Sequence, residues 1–389
     1  MKYRKPDWFV YQLAQGASFL ISRLVYGCRV LRNEIRGKKG AFVVIANHQS
    51  ALDFVNLIGL THRRMSFVIS NSFFSTLPVK GLLEKAAVIP KQQFQTTSAD
   101  LRAMKAVVDA GEPLVIFPAG LMCEDGLSTP IPAATYKFLK WLKADIYAAR
   151  TTGAYFVMPK WAKGMRPGRT YMEAYKLFDK EELAAMPEQE IRARAQQALT
   201  FDAYREQSVP SRHNRDIAGL ENVLYLCPHC GAEFTMKTAG STISCIRCGY
   251  AETSDDKGRL HRSGAVGEEI AYVSDWSRRV NEHIRRQVQS GELKELQAPT
   301  AIHMIEKNRF VEVGKGTLRL SAEGFTLCGT LQGEQTELCI PIEGIPTLPV
   351  SPGRHIELQQ GDTIYRCVLE DGRLAMKFIH MLEAFYECR

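Results

Sequence analysis

His48 and Asp53 are the side chains whose types and spacing could move a proton. They follow Ala41-Phe42-Val43-Val44-Ile45-Ala46, an apolar run that reads as a strand, with Asn47 between the strand and the histidine. A histidine delivered into a tight turn, with a carboxylate at the start of the next helix, makes an oriented general base. Residues five apart on one ideal helix point about 140° away from each other, so His48 has to precede the helix. Asp53 then accepts from one imidazole nitrogen and leaves the other to take a proton. A plainer reading uses the same carboxylate: Ser50-Ala51-Leu52-Asp53 fits a capping box, with Ser50 as cap and Asp53 folding back.

A second constellation is Cys227-Pro228-His229-Cys230-Gly231 with Cys245-Ile246-Arg247-Cys248-Gly249. Each Cys-x-x-Cys-Gly knuckle points two thiolates at one ion, and four thiolates complete a tetrahedral Zn2+ site with no open position for water. Such a site is structural and supplies folding energy to a short segment. Redox chemistry would need a thioredoxin-like context, which is absent. The basic-aromatic pattern of a nucleic-acid surface is thin between the knuckles, so no nucleic acid is expected. The other six of the ten cysteines show no paired spacing and no signal peptide precedes them, which places the chain on the cytosolic side.

Further along, Leu114-Val115-Ile116-Phe117 reads as a buried strand turned sharply by Pro118-Ala119-Gly120. With these residues the chain resembles the lysophospholipid acyltransferases, the PlsC-like group that includes the lysophosphatidic acid acyltransferases. The first block of that family, Asn-His-x-Ser-x-x-Asp with its HX4D spacing, is matched by Asn47, His48, Ser50 and Asp53. Its Phe-Pro-Glu-Gly block is matched at Phe117, Pro118 and Gly120. A block ending in a phosphate-binding Arg falls on Ala87-Val88-Ile89-Pro90-Lys91, and a Val-x-Pro block on Val157-Met158-Pro159.

The resemblance implies an O-acyltransferase that moves a fatty acyl group from acyl-CoA or acyl carrier protein (acyl-ACP) to a lysophospholipid hydroxyl in phospholipid biosynthesis. His48 would be the base and Asp53 its orienter, with Asn47, Lys91, Phe117, Pro118 and Gly120 around the substrate. Backbone N–H groups near Pro118-Ala119-Gly120 would stabilise the oxyanion. An acyl thioester is already activated, so no covalent enzyme intermediate is required. Ala119 and Leu121 depart from the Glu and Arg of the family, and Lys91 lacks the planar fork of Arg. The resemblance implies 1-acyl-sn-glycerol-3-phosphate or a related lysolipid as acceptor, and these departures point away from lysophosphatidic acid itself while leaving the reaction type intact. A catalytically silent lipid-binding scaffold is the competing class, and the presence of both His48 and Asp53 argues against it.

The elements that must position these residues follow from the rest of the 389-residue chain. Its length and its 45% hydrophobic content allow two to three domains with full cores. Strands are expected at 66–69, 146–149 and 156–158, with helices opening at Ser98, after Ala133-Ala134-Thr135 and over 187–199. This alternation predicts an α/β sheet flanked by helices, and the resemblance makes 40–202 the acyltransferase domain. Arg150 and Lys160, at strand ends, are candidate headgroup contacts or solvated surface charges. A linker (203–222), a zinc ribbon (223–256) and a helical connector (257–296) follow, the connector carrying a helix from Ser274 with Arg278, Arg279, Arg285 and Arg286 exposed. Residues 297–389 read as a small mostly-β C-terminal domain with a closing helix, architecturally like a pleckstrin-homology (PH) or GRAM module.

The net charge of +8 matters through its placement. Lys2, Arg4 and Lys5 precede, and Arg29, Arg32, Arg36, Lys38 and Lys39 follow, an apolar segment over 8–31, within a first region of 1–39. At 100° per residue Val10, Leu13, Ala17, Leu20, Leu24, Cys28 and Leu31 share one face, opposite Gln15, Ser18, Ser22 and Arg29. Arg23 and the interspersed polar residues argue against a spanning helix. An in-plane amphipathic helix on an anionic membrane surface is expected, which makes the protein peripheral or monotopic on the cytoplasmic face. The commoner use of such a helix is to cover the core of its own domain.

Overall fold

A computed structural model describes residues 3–76, 80–92, 96–207 and 209–388; Lys2 of the basic flank lies outside them. The chain divides into two compact units, Met1–Pro159 with Gly164–Val209, and Lys160–Lys163 with Pro210–Arg389.

The strands of the first unit are β1 (Arg29–Asn33), β2 (Phe42–Ala46), β3 (Ser66–Ser70), β4 (Ile89–Lys91), β5 (Leu114–Ile116), β6 (Asp145–Thr152) and β7 (Tyr171–Phe178). They form one sheet in the order β1-β7-β6-β2-β5-β3-β4. From β6 to β4 neighbouring strands run parallel, whereas β7 is antiparallel to β6 and carries β1 parallel to itself. The helices are α1 (Trp8–Leu24), α2 (Phe54–Leu57), α3 (Asn71–Thr76), α4 (Lys80–Lys85), α5 (Ser98–Asp109), α6 (Ala134–Leu142), α7 (Ala154–Val157), α8 (Lys180–Ala185), α9 (Glu188–Leu199) and α10 (Ala203–Glu206).

All five residues of β2 are buried, as a parallel strand covered on both faces requires. Its side chains alternate between two cores. Val43 and Ile45 join Met104 and Val107 of α5, Leu139 of α6 and Ile191 of α9. Phe42, Val44 and Ala46 join Tyr11 of α1, Val55 and Leu57 of α2, and Val115, Tyr147 and Met172. Helices thus cover the central strand on both sides.

In the second unit β8 (Met236–Ala239), β9 (Thr242–Cys245), β10 (Ala251–Ser254) and β11 (Leu260–Arg262) form a four-stranded antiparallel sheet. After α11 (Val273–Gln289) come β12 (Glu295–Glu306), β13 (Arg309–Ser321), β14 (Gly324–Leu331), β15 (Glu334–Pro341), β16 (Val350–Ser351), β17 (His355–Gln360) and β18 (Thr363–Leu369). These pair antiparallel in the order β15-β14-β13-β12-β18-β17-β16, and α12 (Leu374–Glu387) closes the chain. Trp276 of α11 is fully buried, edge-on to Tyr250, and donates its indole N–H to the Leu226 carbonyl. Of the α11 arginines expected to be exposed, Arg285 is half-buried.

Three expectations from the sequence need correction. The apolar stretch Phe156-Val157-Met158 is not a strand, since Ala154–Val157 is helical. Gly153 decides this, with φ +82° and a position where a Cβ would lie 2.6 Å from the Arg169 carbonyl oxygen. The N-terminal helix stops at Leu24, not 31, and the chain turns through Gly27 (φ +50°) into β1, which adds an edge strand from the 1–39 region to the catalytic sheet. The 203–222 segment holds α10 and a buried Tyr204.

Two histidines of the second unit are kept neutral by burial. His380 lies beneath the Tyr225 hydroxyl, which donates to Nδ1 at 3.0 Å, and burial pushes its pKa down to about 3. His355 is pushed down to about 3 by burial, and then by Arg366 and Arg354. Both histidines bind protons more readily unfolded, so their stabilisation is complete above the ordinary histidine pKa near 6.5 and is lost as pH falls from there towards 3. At pH 5 each lowers stability by about 2 kcal/mol. Urea midpoints of the full chain should fall between pH 7 and 4.5 and fall less in His380→Gln; parallel pH curves for the two proteins would refute the assignment.

Candidate functional site

Because β2, β3, β4, β5 and β6 are parallel, their C-terminal ends share one edge of the sheet, the edge at which open α/β sheets present reactive groups. β2 ends at Ala46 and delivers Asn47 and His48 there. Asn47 is clamped to β6 by two 2.8 Å bonds, its amide donating to the Thr151 carbonyl and its carbonyl accepting the Thr151 N–H. His48 lies before α2, as the pairing requires, with Nδ1 3.0 Å from Asp53 Oδ2. The same oxygen accepts the Gln49 N–H at 2.7 Å and the Ser50 N–H at 2.9 Å. Half of the capping box therefore coexists with the catalytic geometry. Asp53 is 1% exposed.

A carboxylate at Nδ1 selects the tautomer that carries its proton there and leaves the lone pair on Nε2. Phe117, at the end of β5, stacks on the imidazole with centroids 4.3 Å apart. Pro118, Ala119 and Gly120 turn the chain, with Gly120 at φ +74° and its N–H on the Phe117 carbonyl at 2.9 Å. Since proline has no N–H and that of Gly120 closes the turn, the oxyanion donor expected among these three narrows to Ala119. Leu121 is buried, so the loop turns inward at that position.

Lys91 ends β4 on the same edge, half-buried, with Nζ donating to the Gln92 carbonyl at 3.1 Å. Desolvation lowers its proton affinity, while Asp100 opposes the shift. Arg150 is not a headgroup contact: it donates to the Ala198 and Thr200 carbonyls at the end of α9 and pairs with Glu206. Lys160 falls in the second unit. The structure also brings in residues that the sequence did not single out as partners. Tyr26 meets the Ser50 hydroxyl, and Gln49 accepts the Tyr155 N–H at 3.2 Å. No local spacing signals these contacts.

The family model described as Acyltransferase matches residues 25–159, an interval running from the end of α1 through Asn47, His48, Asp53, Lys91 and Phe117 to Pro159. This segment is an acyltransferase domain. The enzyme class is transfer of an acyl group. No curated protein sequence matches the chain. Among solved structures, the 1-acyl-sn-glycerophosphate (LPA) acyltransferase PlsC from Thermotoga maritima is similar at 17% identity and a TM-score of 0.41, covering 49% of this chain and 75% of that one.

Outside the acyltransferase domain, Cys227, Cys230, Cys245 and Cys248 bring their sulfurs within 4.8 Å of one another. Cys227 and Cys248 Sγ are 3.6 Å apart, and Cys230 and Cys245 Sγ 3.8 Å. Four thiolates about 2.3 Å from one ion in a tetrahedron stand about 3.8 Å apart, so the donor set fits a metal ion. Each knuckle closes on a glycine N–H, Gly231 to the Cys227 carbonyl and Gly249 to the Cys245 carbonyl, both at 3.0 Å. Elemental analysis of the purified protein should find about one metal ion per chain. Cys245→Ser should lose it and lower the melting temperature, while Cys339→Ser, at an exposed cysteine, should change neither. Metal retained in Cys245→Ser would reject the site.

Proposed function

We propose that the protein moves a fatty acyl group from an acyl thioester, acyl-CoA or acyl-ACP, to the hydroxyl of a lysophospholipid, 1-acyl-sn-glycerol-3-phosphate or a related lysolipid, in phospholipid biosynthesis. The observation that carries this reading is the His48–Asp53 pair at the end of a buried central strand. His48 Nε2 takes the proton of the acceptor hydroxyl as its oxygen attacks the thioester carbonyl. The tetrahedral oxyanion collapses, the C–S bond breaks, and the imidazolium returns the proton to the departing thiolate. Asp53 holds the ring and stabilises the imidazolium without itself being protonated. Asn47 fixes the turn, Phe117 packs the ring, the Pro118–Gly120 turn lines the reacting carbonyl, and Lys91 meets the acceptor phosphate. The four cysteines hold a structural Zn2+ in a ribbon, and the seven strands ahead of α12 support a PH/GRAM-like docking module.

The outer face of α1 supports a membrane surface as the place of work. Trp8, Phe9, Leu13, Phe19, Leu20 and Leu24 are between 55% and 75% exposed, whereas Ser18 on the opposite face is buried. No helix of the described residues is long and apolar enough to cross a membrane. An apolar row facing outward, with Arg23 and Arg29 near its end, matches a helix lying in the interface plane. Immersing each large side chain contributes on the order of 1–2 kcal/mol.

Two measurements test these readings. Purified protein offered a panel of lysolipids with both donors should acylate at least one, and His48→Ala should reduce the rate by about 10²-fold or more. No transfer to any acceptor, or an undiminished rate in the variant, rejects the enzyme reading in favour of a silent lipid-binding protein. Separately, Leu13→Glu with Leu20→Glu should abolish co-sedimentation with phosphatidylglycerol vesicles while the circular dichroism spectrum is kept. Undiminished binding by that double variant would remove α1 from the membrane contact.

A further inference from the structure

Tyr26 stands just beyond the C-terminal end of α1 and is completely buried. Its hydroxyl is 2.6 Å from Ser50 Oγ. Burial raises the proton affinity of the phenol, so it keeps its hydrogen. At that distance the phenol and the Ser50 hydroxyl share one hydrogen bond. Ser50 in turn donates its backbone N–H to Asp53, the carboxylate that orients His48. Residues 49–53 are therefore held from two sides, by Asp53 within the turn and by a phenol from a distant segment.

The attachment continues along α1. The Tyr11 hydroxyl accepts the Met65 N–H at 3.1 Å, and Gln15 Nε2 donates to the carbonyls of Ile58 and Thr61 at 3.1 and 3.2 Å. Three polar side chains in and just after α1 thus grip residues 50–65, which begin with the catalytic turn.

We propose that Tyr26 is a positioning residue for the His48–Asp53 pair: its hydroxyl holds Ser50 so that the Gln49 and Ser50 N–H groups stay on Asp53 and the imidazole stays aligned for proton abstraction. The inference rests on the acyl-transfer reading for its effect on rate, but its effect on the imidazole can be read without substrate. Tyr26→Phe keeps the ring and removes the bond. With N–H donors loosened, Asp53 is less neutralised and favours the imidazolium, so the midpoint of His48 titration, followed by nuclear magnetic resonance of its ring protons, should rise by about half a pH unit. Turnover should fall about tenfold with KM little changed, and its acid limb should move up with the midpoint. Ser50→Ala breaks the bond from its other end and should give the same shift. The double variant should be no worse than either single one, since both remove one interaction.

A His48 midpoint at the wild-type value in both single variants overturns the proposal, as do additive losses in the double variant. Should Tyr26→Phe fail to fold, Ser50→Ala alone decides by the same midpoint. Absence of acyl transfer in the wild type would reject the enzyme reading and leave the imidazole titration as the test of positioning.

Discussion

One carboxylate oxygen carries most of the organisation of this site. Asp53 is almost completely buried, and a buried anion is tolerable only where donors replace the water it has lost. Its Oδ2 finds three donors within its own turn, the N–H groups of Gln49 and Ser50 and the His48 ring. The donors that offset the charge on Oδ2 therefore also fix the imidazole tautomer, while Oδ1 is buried with no hydrogen-bond partner among the described residues. The capping box and the His48–Asp53 pair, which look like rivals in the sequence, share one bond, the Ser50 N–H on Asp53, while the Ser50 hydroxyl turns to Tyr26 and Asp53 itself precedes α2. Everything nearby serves that turn: β2 delivers it, Asn47 fastens its entry to β6, and Phe117 covers the ring it holds.

The first helix inverts the usual arrangement of an amphipathic surface helix, in which the apolar stripe faces the core. Here the inward face is partly polar, with Tyr11, Gln15 and Ser18, and holds the domain through hydrogen bonds to backbone groups of residues 58–65. Its leucines, with Trp8, Phe9 and Phe19, point away from the domain. Directional bonds on one side and non-directional apolar surface on the other give the helix a fixed seat and an adaptable outer face. The same helix ends in the segment that carries Tyr26 to the turn holding His48 and Asp53.

What could be read from the sequence was local. The apolar run of β2, the five-residue step from His48 to Asp53 and the two cysteine knuckles each lie within a short window, and the structure keeps all of them. The long-range partners could not be read: Tyr26 to Ser50, Asn47 to Thr151 and Gln49 to Tyr155 join residues 24, 104 and 106 apart. The stripe read from periodicity along α1 divides between faces, with Leu13, Leu20 and Leu24 outward and Val10 buried, while Trp8, Phe9 and Phe19 outside it are exposed. Phe156-Val157-Met158 illustrates a third limit, since a short apolar run suits a buried strand and a buried helical turn equally. There the backbone freedom of Gly153 was decisive.

The two departures from the family pattern gain a physical meaning from burial. Leu121 and Cys123 point into the protein, so the loop after Gly120 offers apolar packing where the resemblance implies an exposed arginine. In the proposed reaction, positive charge for an acceptor phosphate must then come from elsewhere on the same sheet edge, and Lys91 is placed to supply it. Its ammonium is partly desolvated, with the Gln92 carbonyl as its hydrogen-bond acceptor and Asp100 acting on it through charge. A desolvated cation gains more from an incoming anion than a solvated one, because water screens the pair less. An acceptor carrying a phosphate close to its free hydroxyl would restore to Lys91 what burial removes, whereas a neutral headgroup would leave the ammonium without compensation. In that reading Lys91 acts as a point charge, which grips a phosphate less directionally than a guanidinium fork and accommodates a wider range of phosphate placements.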